Sequence, residues 1–226
     1  MNVRDAIHKR KSTRAFLNKP IDNSKIKEML ENAARAPSGG NLQPWKVYII
    51  NGRTMQKFLS FQHEWTKPES PAYSIYPPKL TEPYRTSRYE VGEKMYSLLG
   101  IGRDEKEKRF AQVIKNFEFF GAPVGLFCFI DSQMGPPQWS DLGMFLQSFM
   151  LLATEEGFST CAQEAWSMKQ ESVKKFLKKS DDDILFCGMA IGYPDLKNPI
   201  NKLHTSRRPI HEWACFVQSK SSLLSI

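Results

Sequence analysis

Apolar positions recur along this chain with two different periods, and the switches between them lay out its elements. Ile26, Met29, Leu30 and Ala33 fall at i, i+3, i+4 and i+7, so the spacing predicts a helix from about Ser24 to Arg35 with one apolar face. Asp22 is placed to cap it. Further helices are expected over Val3–His8, Arg53–Trp65 and Arg85–Leu99. Lys106–Phe119 is amphipathic, with Phe110, Val113, Ile114 and Phe117 on one side. From Asp141 to about Glu156 the pattern is different. Leu142, Phe145, Leu146, Phe149, Leu152 and Ala153 cover one face, and Met144 and Leu151 make the other side apolar too. Such a helix belongs in a core or in a subunit interface. Gly157 ends it. A last helix is expected over Lys169–Lys179, with its lysines on a solvated face.

Three short apolar runs read as buried strands: Lys46–Asn51, Val124–Asp131 and Ile184–Tyr193. Ile210–Val217 suggests a helical turn followed by a last strand. Between these elements lie turns at Pro37–Trp45 and Gln133–Trp139, and a polar connection over Pro194–His204. The stretch from about 68 to 84 holds Pro68, Pro71, Pro77, Pro78 and Pro83, too many prolines for any regular element. Loops of this length in a compact domain are often lids, and Tyr73, Tyr76 and Tyr84 favour burial over a free linker. The expectation is one domain over residues 1–226 with this proline-rich loop inserted.

Composition narrows the picture a little. The 226 residues are 41% hydrophobic and 25% charged, enough for a core without metals or disulfides. Cys128, Cys161, Cys187 and Cys215 form no CxxC spacing, and three of them (Cys128, Cys187, Cys215) sit in strand-like runs. Buried free thiols in a reducing cytoplasm are the simplest account. The N-terminus has no apolar run of a signal peptide, and no run is long enough to span a bilayer as a helix. The net charge of +8 permits an acidic partner: nucleic acid, a membrane surface or a phosphate-bearing cofactor.

Four stretches carry candidate chemistry. In Lys9-Arg10-Lys11-Ser12-Thr13-Arg14 an extended backbone would point Arg10, Ser12 and Arg14 to one side, where two guanidinium forks flank a hydroxyl and suit a phosphate. Thr205-Ser206-Arg207-Arg208-Pro209 is a second basic cluster. In the turn, Ser38-Gly39-Gly40-Asn41-Leu42-Gln43 combines permissive glycines with short polar groups able to bond a planar heteroaromatic edge. Phe158–Trp166 leads into a helix whose first amides could donate to a ligand. Gly100-Ile101-Gly102 lacks the third glycine and the preceding strand of a dinucleotide fingerprint. There is no GxSxG, HExxH or P-loop, and His8, His63, His204 and His211 have no metal-ligand spacing. The chain is therefore either a binding module or an enzyme whose cofactor carries the chemistry.

Taken in order, these pieces resemble the FMN-dependent nitroreductase family, in a branch that includes nitrobenzoate-reductase-like members. The matching residues are Arg10, Ser12 and Arg14; Ala36–Trp45; Phe119–Pro123; Gly135–Gly143; Gly157–Trp166; and Arg207–Pro209. The resemblance implies an α+β fold, with a central mixed, mainly antiparallel sheet flanked by helices, in an intertwined homodimer with FMN at the interface. It implies that Arg10, Ser12, Arg14 and Arg207 hold the FMN phosphate and ribityl chain. Pro37, Ser38, Gly39 and Asn41 would reach the flavin of the other subunit, and Gln163, Glu164 and Ala165 would line the ring through backbone groups. Thr205 stands where some relatives carry a basic residue, which leaves Arg208 as the candidate replacement. The implied activity is NAD(P)H-dependent reduction of nitroaromatic or quinone-like acceptors by ping-pong hydride transfer, with no metal, membrane or nucleic acid involved. Two alternatives stay open: a same-fold flavoprotein of another activity (a dehalogenase, a flavin-fragmenting enzyme or a flavin carrier), or a basic nucleic-acid-binding module.

Overall fold

In the computed structural model, which describes residues 1–217, the three expected strands and a fourth form one antiparallel sheet. The strands are β1 (Lys46–Asn51), β2 (Val124–Asp131), β3 (Ser159–Gln163) and β4 (Asp183–Gly192), in the order β1-β2-β4-β3. The helices are α1 (Val3–Lys9), α2 (Asn23–Ala33), α3 (Gly52–Glu64), α4 (Tyr84–Leu98), α5 (Lys106–Ile114), α6 (Pro136–Glu155) and α7 (Gln170–Leu177). A parallel bridge between Ser12 and Thr160 lays the N-terminal basic segment beside β3, giving the sheet its mixed character.

The sheet is covered on both faces, which is why its central strands read as unbroken apolar runs. Val124, Leu126, Cys128 and Ile130 point to one face, against α2 and α6; Phe127 and Phe129 point to the other. That second core is aromatic. Trp166 is fully buried among Phe58, Phe117, Phe119 and Phe127. Two glycines make room for it. A Cβ at Gly188 would lie 2.1 Å from Trp166 Cδ1, and one at Gly125 would lie 2.7 Å from Phe119 Cζ.

Several boundaries differ from the sequence expectation. Ser159–Gln163 is an edge strand, not the approach to an α-helix; a 3₁₀ turn over Glu164–Lys169 separates it from α7. Its alternation is hidden because Thr160 and Cys161 are both buried. α6 starts at Pro136, five residues early, because proline is tolerated in a first helical turn, where its missing N–H costs nothing. Lys106–Phe119 is helical only to Ile114 and then tightens to 3₁₀, with Phe119 and Phe120 at φ 50° and 53°. Phe110, Val113 and Ile114, on the apolar side of that segment, are exposed.

Ile210–Glu212 does form a short turn, but no strand follows among the described residues. Residues up to Val217 are largely exposed and pair with no strand among the described residues. Cys215 is consequently exposed, unlike Cys128, Cys161 and Cys187.

The proline-rich stretch has no regular element, and only one of its tyrosines goes inward. Tyr73 packs on Trp139 and Phe186, and its hydroxyl donates to the Phe186 carbonyl. Phe186 is the extra residue where the β2–β4 register slips, so its carbonyl is out of the ladder and open to the phenol. Burial first, and nearby acidic groups second, push the Tyr73 phenol far above its ordinary pKa, so it stays a neutral donor. Tyr76 and Tyr84 remain exposed, and arginines stack on them instead: Arg88 on Tyr76 and Arg208 on Tyr84.

Candidate active site

The two basic clusters, almost 200 residues apart in sequence, meet. Arg10, Lys11, Ser12, Arg14 and Arg207 line one cleft of about 530 Å³, together with His8, Gln147, His204 and Thr205. The buried side chain of Asn201 makes the join. Its Oδ1 accepts from the Arg14 backbone N–H at 2.9 Å, and its Nδ2 donates to the carbonyls of Ala15 and Asp195, each at 2.8 Å. Its own carbonyl accepts from Lys11 Nζ. Thr13 on the opposite side of the segment is buried, and its N–H donates to Thr160 on β3 at 3.0 Å. The alternation expected of an extended segment holds in part: Thr13 faces the protein and Arg10, Ser12 and Arg14 face the cleft, but Lys11 lines it too.

Among the described residues, no Asp or Glu lines this cleft. Among the described residues, none of Arg10, Lys11, Arg14 or Arg207 forms a salt bridge. Burial, and then the charge of Arg207, hold the Arg10 pKa below its ordinary value. A half-buried guanidinium held against a second one is an arrangement that an anion relieves. Cys161 lies in the field of Arg14 and Arg10, yet burial dominates and pushes its thiol up to about 11, which leaves it protonated and inert.

The other expected contacts lie elsewhere. Arg208 does not line this cleft: its guanidinium sits over Tyr84. The Gln163 side chain turns inward, where Nε2 donates to the Asn116 carbonyl at 2.7 Å, so only its backbone is left for a ligand. Glu164 is exposed and Ala165 half-buried, at the start of the 3₁₀ turn. Pro37, Gly39 and Asn41 are exposed and Ser38 is half-buried. That turn is clamped to α6 by two contacts: the buried Asp141 carboxylate accepts from Gly39 N–H at 3.1 Å, and Trp45 stacks on Phe145 at 4.9 Å. Gly40, Asn41 and Gln43 all have positive φ, which explains the glycine and amide residues there.

Residues 7–193 match the family described as the nitroreductase family. The chain belongs to the nitroreductase family. It is 36% identical over 201 residues to a 4-nitrobenzoate reductase of Pseudomonas putida, covering 88% of each chain. It is 33% identical over 219 residues to a nitrobenzene nitroreductase of Ectopseudomonas oleovorans, covering 95% of this chain and 96% of that one. Among solved structures it resembles an FMN- and NADPH-dependent nitroreductase, NfnB, from Sphigopyxis sp. strain HMH. That match has a TM-score of 0.92 and 41% identity over 96% of this chain and all of the other. The nitroreductase fold thus accounts for the antiparallel sheet, its flanking helices and the basic segment beside β3.

Sequence reasoning did not single out Lys11, Gln147, His8 and His204, which line the cleft, or Asn201, which braces it from behind. Lys11 was hidden by the alternation argument, which assigned it to the far side. Asn201 sat in a polar connection with no pattern of its own.

Proposed function

We infer that this nitroreductase-family chain is an FMN-dependent NAD(P)H oxidoreductase that reduces nitroaromatic or quinone-like acceptors, working as a single-domain subunit of a homodimer. The observation that carries this reading is the acid-free cleft in which Arg10, Arg14 and Arg207 converge. A phosphate monoester fits that donor set. Guanidinium forks offer paired donors, the Ser12 hydroxyl adds a rotatable one, and nothing on the cleft wall competes for them. Bound FMN would supply the hydride-transfer chemistry.

The chain's own residues would then do the holding and orienting. Arg10, Ser12, Arg14 and Arg207 would fix the phosphate end. Gln163, Glu164 and Ala165 would offer backbone groups to the ring. Pro37, Ser38, Gly39 and Asn41 line no part of this protomer's cleft, and would complete the site of a second copy. Support for the dimer comes from apolar side chains left exposed on elements that pack together: Val3 and Ile7 on α1, Leu42 in the turn and Met144 on α6. Met144 and Leu151 are the side of α6 that its sequence marked as apolar all round. NAD(P)H and the acceptor would use one pocket in turn, with protons taken from water. Three buried free thiols fit a reducing cytoplasm, and among the described residues no helix is long and apolar enough to cross a membrane.

An absorption spectrum of the purified protein, repeated after anaerobic addition of NADPH, tests the reading. Flavin bands that bleach are the expected result. Protein that takes up no flavin, even after incubation with FMN, would overturn it.

A further inference from the structure

α6 reaches two separate places. Gln147 lines the flavin-phosphate cleft of its own protomer. Asp141, about 9 Å back along the helix, holds the Gly39 turn, which lines no part of that cleft. Asp141 is a buried acid to which the reading above gives no role.

Nothing local explains a carboxylate at this position. Asp141 is 4% exposed, where an unpaired charge is costly. Among the described residues no lysine or arginine forms a salt bridge with it. α6 starts at Pro136, so Asp141 lies past the first turn, where a helix N-terminus favours an anion. Its hydrogen bond among the described residues is the one from Gly39 N–H, which donates to Oδ2 at 3.1 Å. One turn further along α6, the Phe145 ring stacks on Trp45 with centroids 4.9 Å apart. These two contacts hold the turn at its beginning and its end.

The backbone between them needs that support. Gly40, Asn41 and Gln43 have φ of 59°, 57° and 50°, and the left-handed region is unfavourable for the two that carry side chains. Within the turn, Ser38 Oγ accepts from Gln43 N–H at 3.1 Å, which leaves the hydroxyl proton to donate to a ligand. Pro37, Gly39 and Asn41 stay exposed on its outer side.

We propose that Asp141, seconded by Phe145, is a positioning residue for the flavin of the second copy. It acts through the Gly39 amide, by a charge-assisted bond, and fixes the turn that completes the other subunit's site. Each α6 then serves two flavins, its own on the Gln147 side and the partner's on the Asp141 side. The proposal rests on the flavoenzyme reading above, in which the turn works across the dimer.

The test measures FMN affinity by flavin fluorescence, with melting temperature and sedimentation on the same samples. Asp141→Ala should weaken FMN about tenfold while the dimer persists, and Asp141→Asn, whose amide oxygen still accepts from Gly39, should stay within about threefold of wild type. Hybrid dimers then separate action across the dimer from action within one chain. A hybrid of one Asp141→Ala chain and one Arg10→Ala chain should contain one site of wild-type affinity, because one site receives an intact Arg10 and an intact turn from different chains. A hybrid of wild type with the Asp141→Ala/Arg10→Ala double variant should contain none. The opposite pattern would put Asp141 to work on its own chain's flavin and overturn the proposal. So would unchanged FMN affinity in Asp141→Ala, an Asn variant as weak as the Ala variant, or dissociation of the Ala variant into monomers. If Asp141→Ala does not fold, Trp45→Leu, which loosens the same turn from its Phe145 contact, takes its place in both hybrids and must give the same pattern. Wild-type protein that never takes up flavin fails the underlying reading and this inference with it. Flavin-loaded protein with the opposite hybrid pattern fails only this inference.

Discussion

The sheet centre and the excursion from the proline-rich stretch through α5 are built on opposite principles. β2 is buried from Val124 to Ile130, and Trp166, Phe58, Phe127 and Phe145 are sealed on either side of the sheet. α4, fifteen residues long, has no buried residue at all. Surface chemistry holds it: Arg103 and Arg109 both pair with Glu93, Arg109 stacks on Tyr96, and Lys94 bonds the His204 carbonyl. The first region draws on apolar burial, which salt scarcely affects. The second draws on exposed charge pairs, each worth little and screened by salt. The cleft belongs to neither region: the N-terminal basic segment, Gln147 of α6 and residues 203–207 line it, and no residue from the proline-rich stretch through α5 does so.

The comparison breaks first at the centre. Trp166→Ala should destabilise the protein by about 3–5 kcal/mol, because the ring is fully buried and its removal leaves a large cavity; the urea midpoint measures it. At the seam, Asn201→Ala should cost about 1–3 kcal/mol by orphaning the Arg14 amide and two carbonyls. It should also weaken FMN binding, read by flavin fluorescence, because it releases the two basic segments from each other. Arg10→Ala should leave folding nearly intact but weaken FMN roughly 10- to 100-fold, the worth of one charge-assisted contact. That weakening should shrink as salt rises.

The sheet edge carries a smaller, pH-dependent effect. Lys46 bonds Asp183 at 2.7 Å and Asp131 at 3.1 Å, and Lys179 lies 3.6 Å from Asp183. Burial alone would raise the Asp183 carboxyl, but the Lys46 hydrogen bond and the two lysine charges outweigh it and hold the pKa below its ordinary value. A carboxyl depressed on folding stabilises above its unfolded pKa, about 3.9, and that stabilisation is lost as pH falls through the folded value. Asp183→Asn should therefore cost about 1–2 kcal/mol at neutral pH. Its gap from wild type in urea titrations should close below about pH 4. The smallest global effect is expected from Glu93→Gln. The unfolding midpoint should hardly move, while amide exchange along α4 speeds up, because only the exposed layer loses its ties.

Much of this was legible in the sequence, and the gaps have physical causes. The Asp22 cap was read correctly, with its side chain accepting from Ser24 N–H. β1, β2 and β4 and the face of α2 followed from periodicity alone. β3 was missed because a strand of five residues, paired along its length with β4 alone and half polar, carries too short a pattern. The apolar side of α5 was read correctly as apolar, but periodicity does not say whether anything covers it, and Phe110, Val113 and Ile114 are exposed. The tyrosines of the proline-rich stretch were all assigned to burial, yet arginines answered two of them at the surface.

By itself, the sequence determined the local order: which segments coil, which extend, where glycine and proline force turns, and which residue types carry positive charge. Those properties depend on neighbours a few residues away, and periodicity records them. Only the tertiary structure decided that Arg207 joins Arg10 while Arg208 turns to Tyr84. It also decided that the unremarked Asn201 ties the two ends together, and that the cleft so formed contains no acid. These are facts about residues nearly 200 positions apart, and their meeting is set by how the sheet and helices pack, which no local pattern encodes.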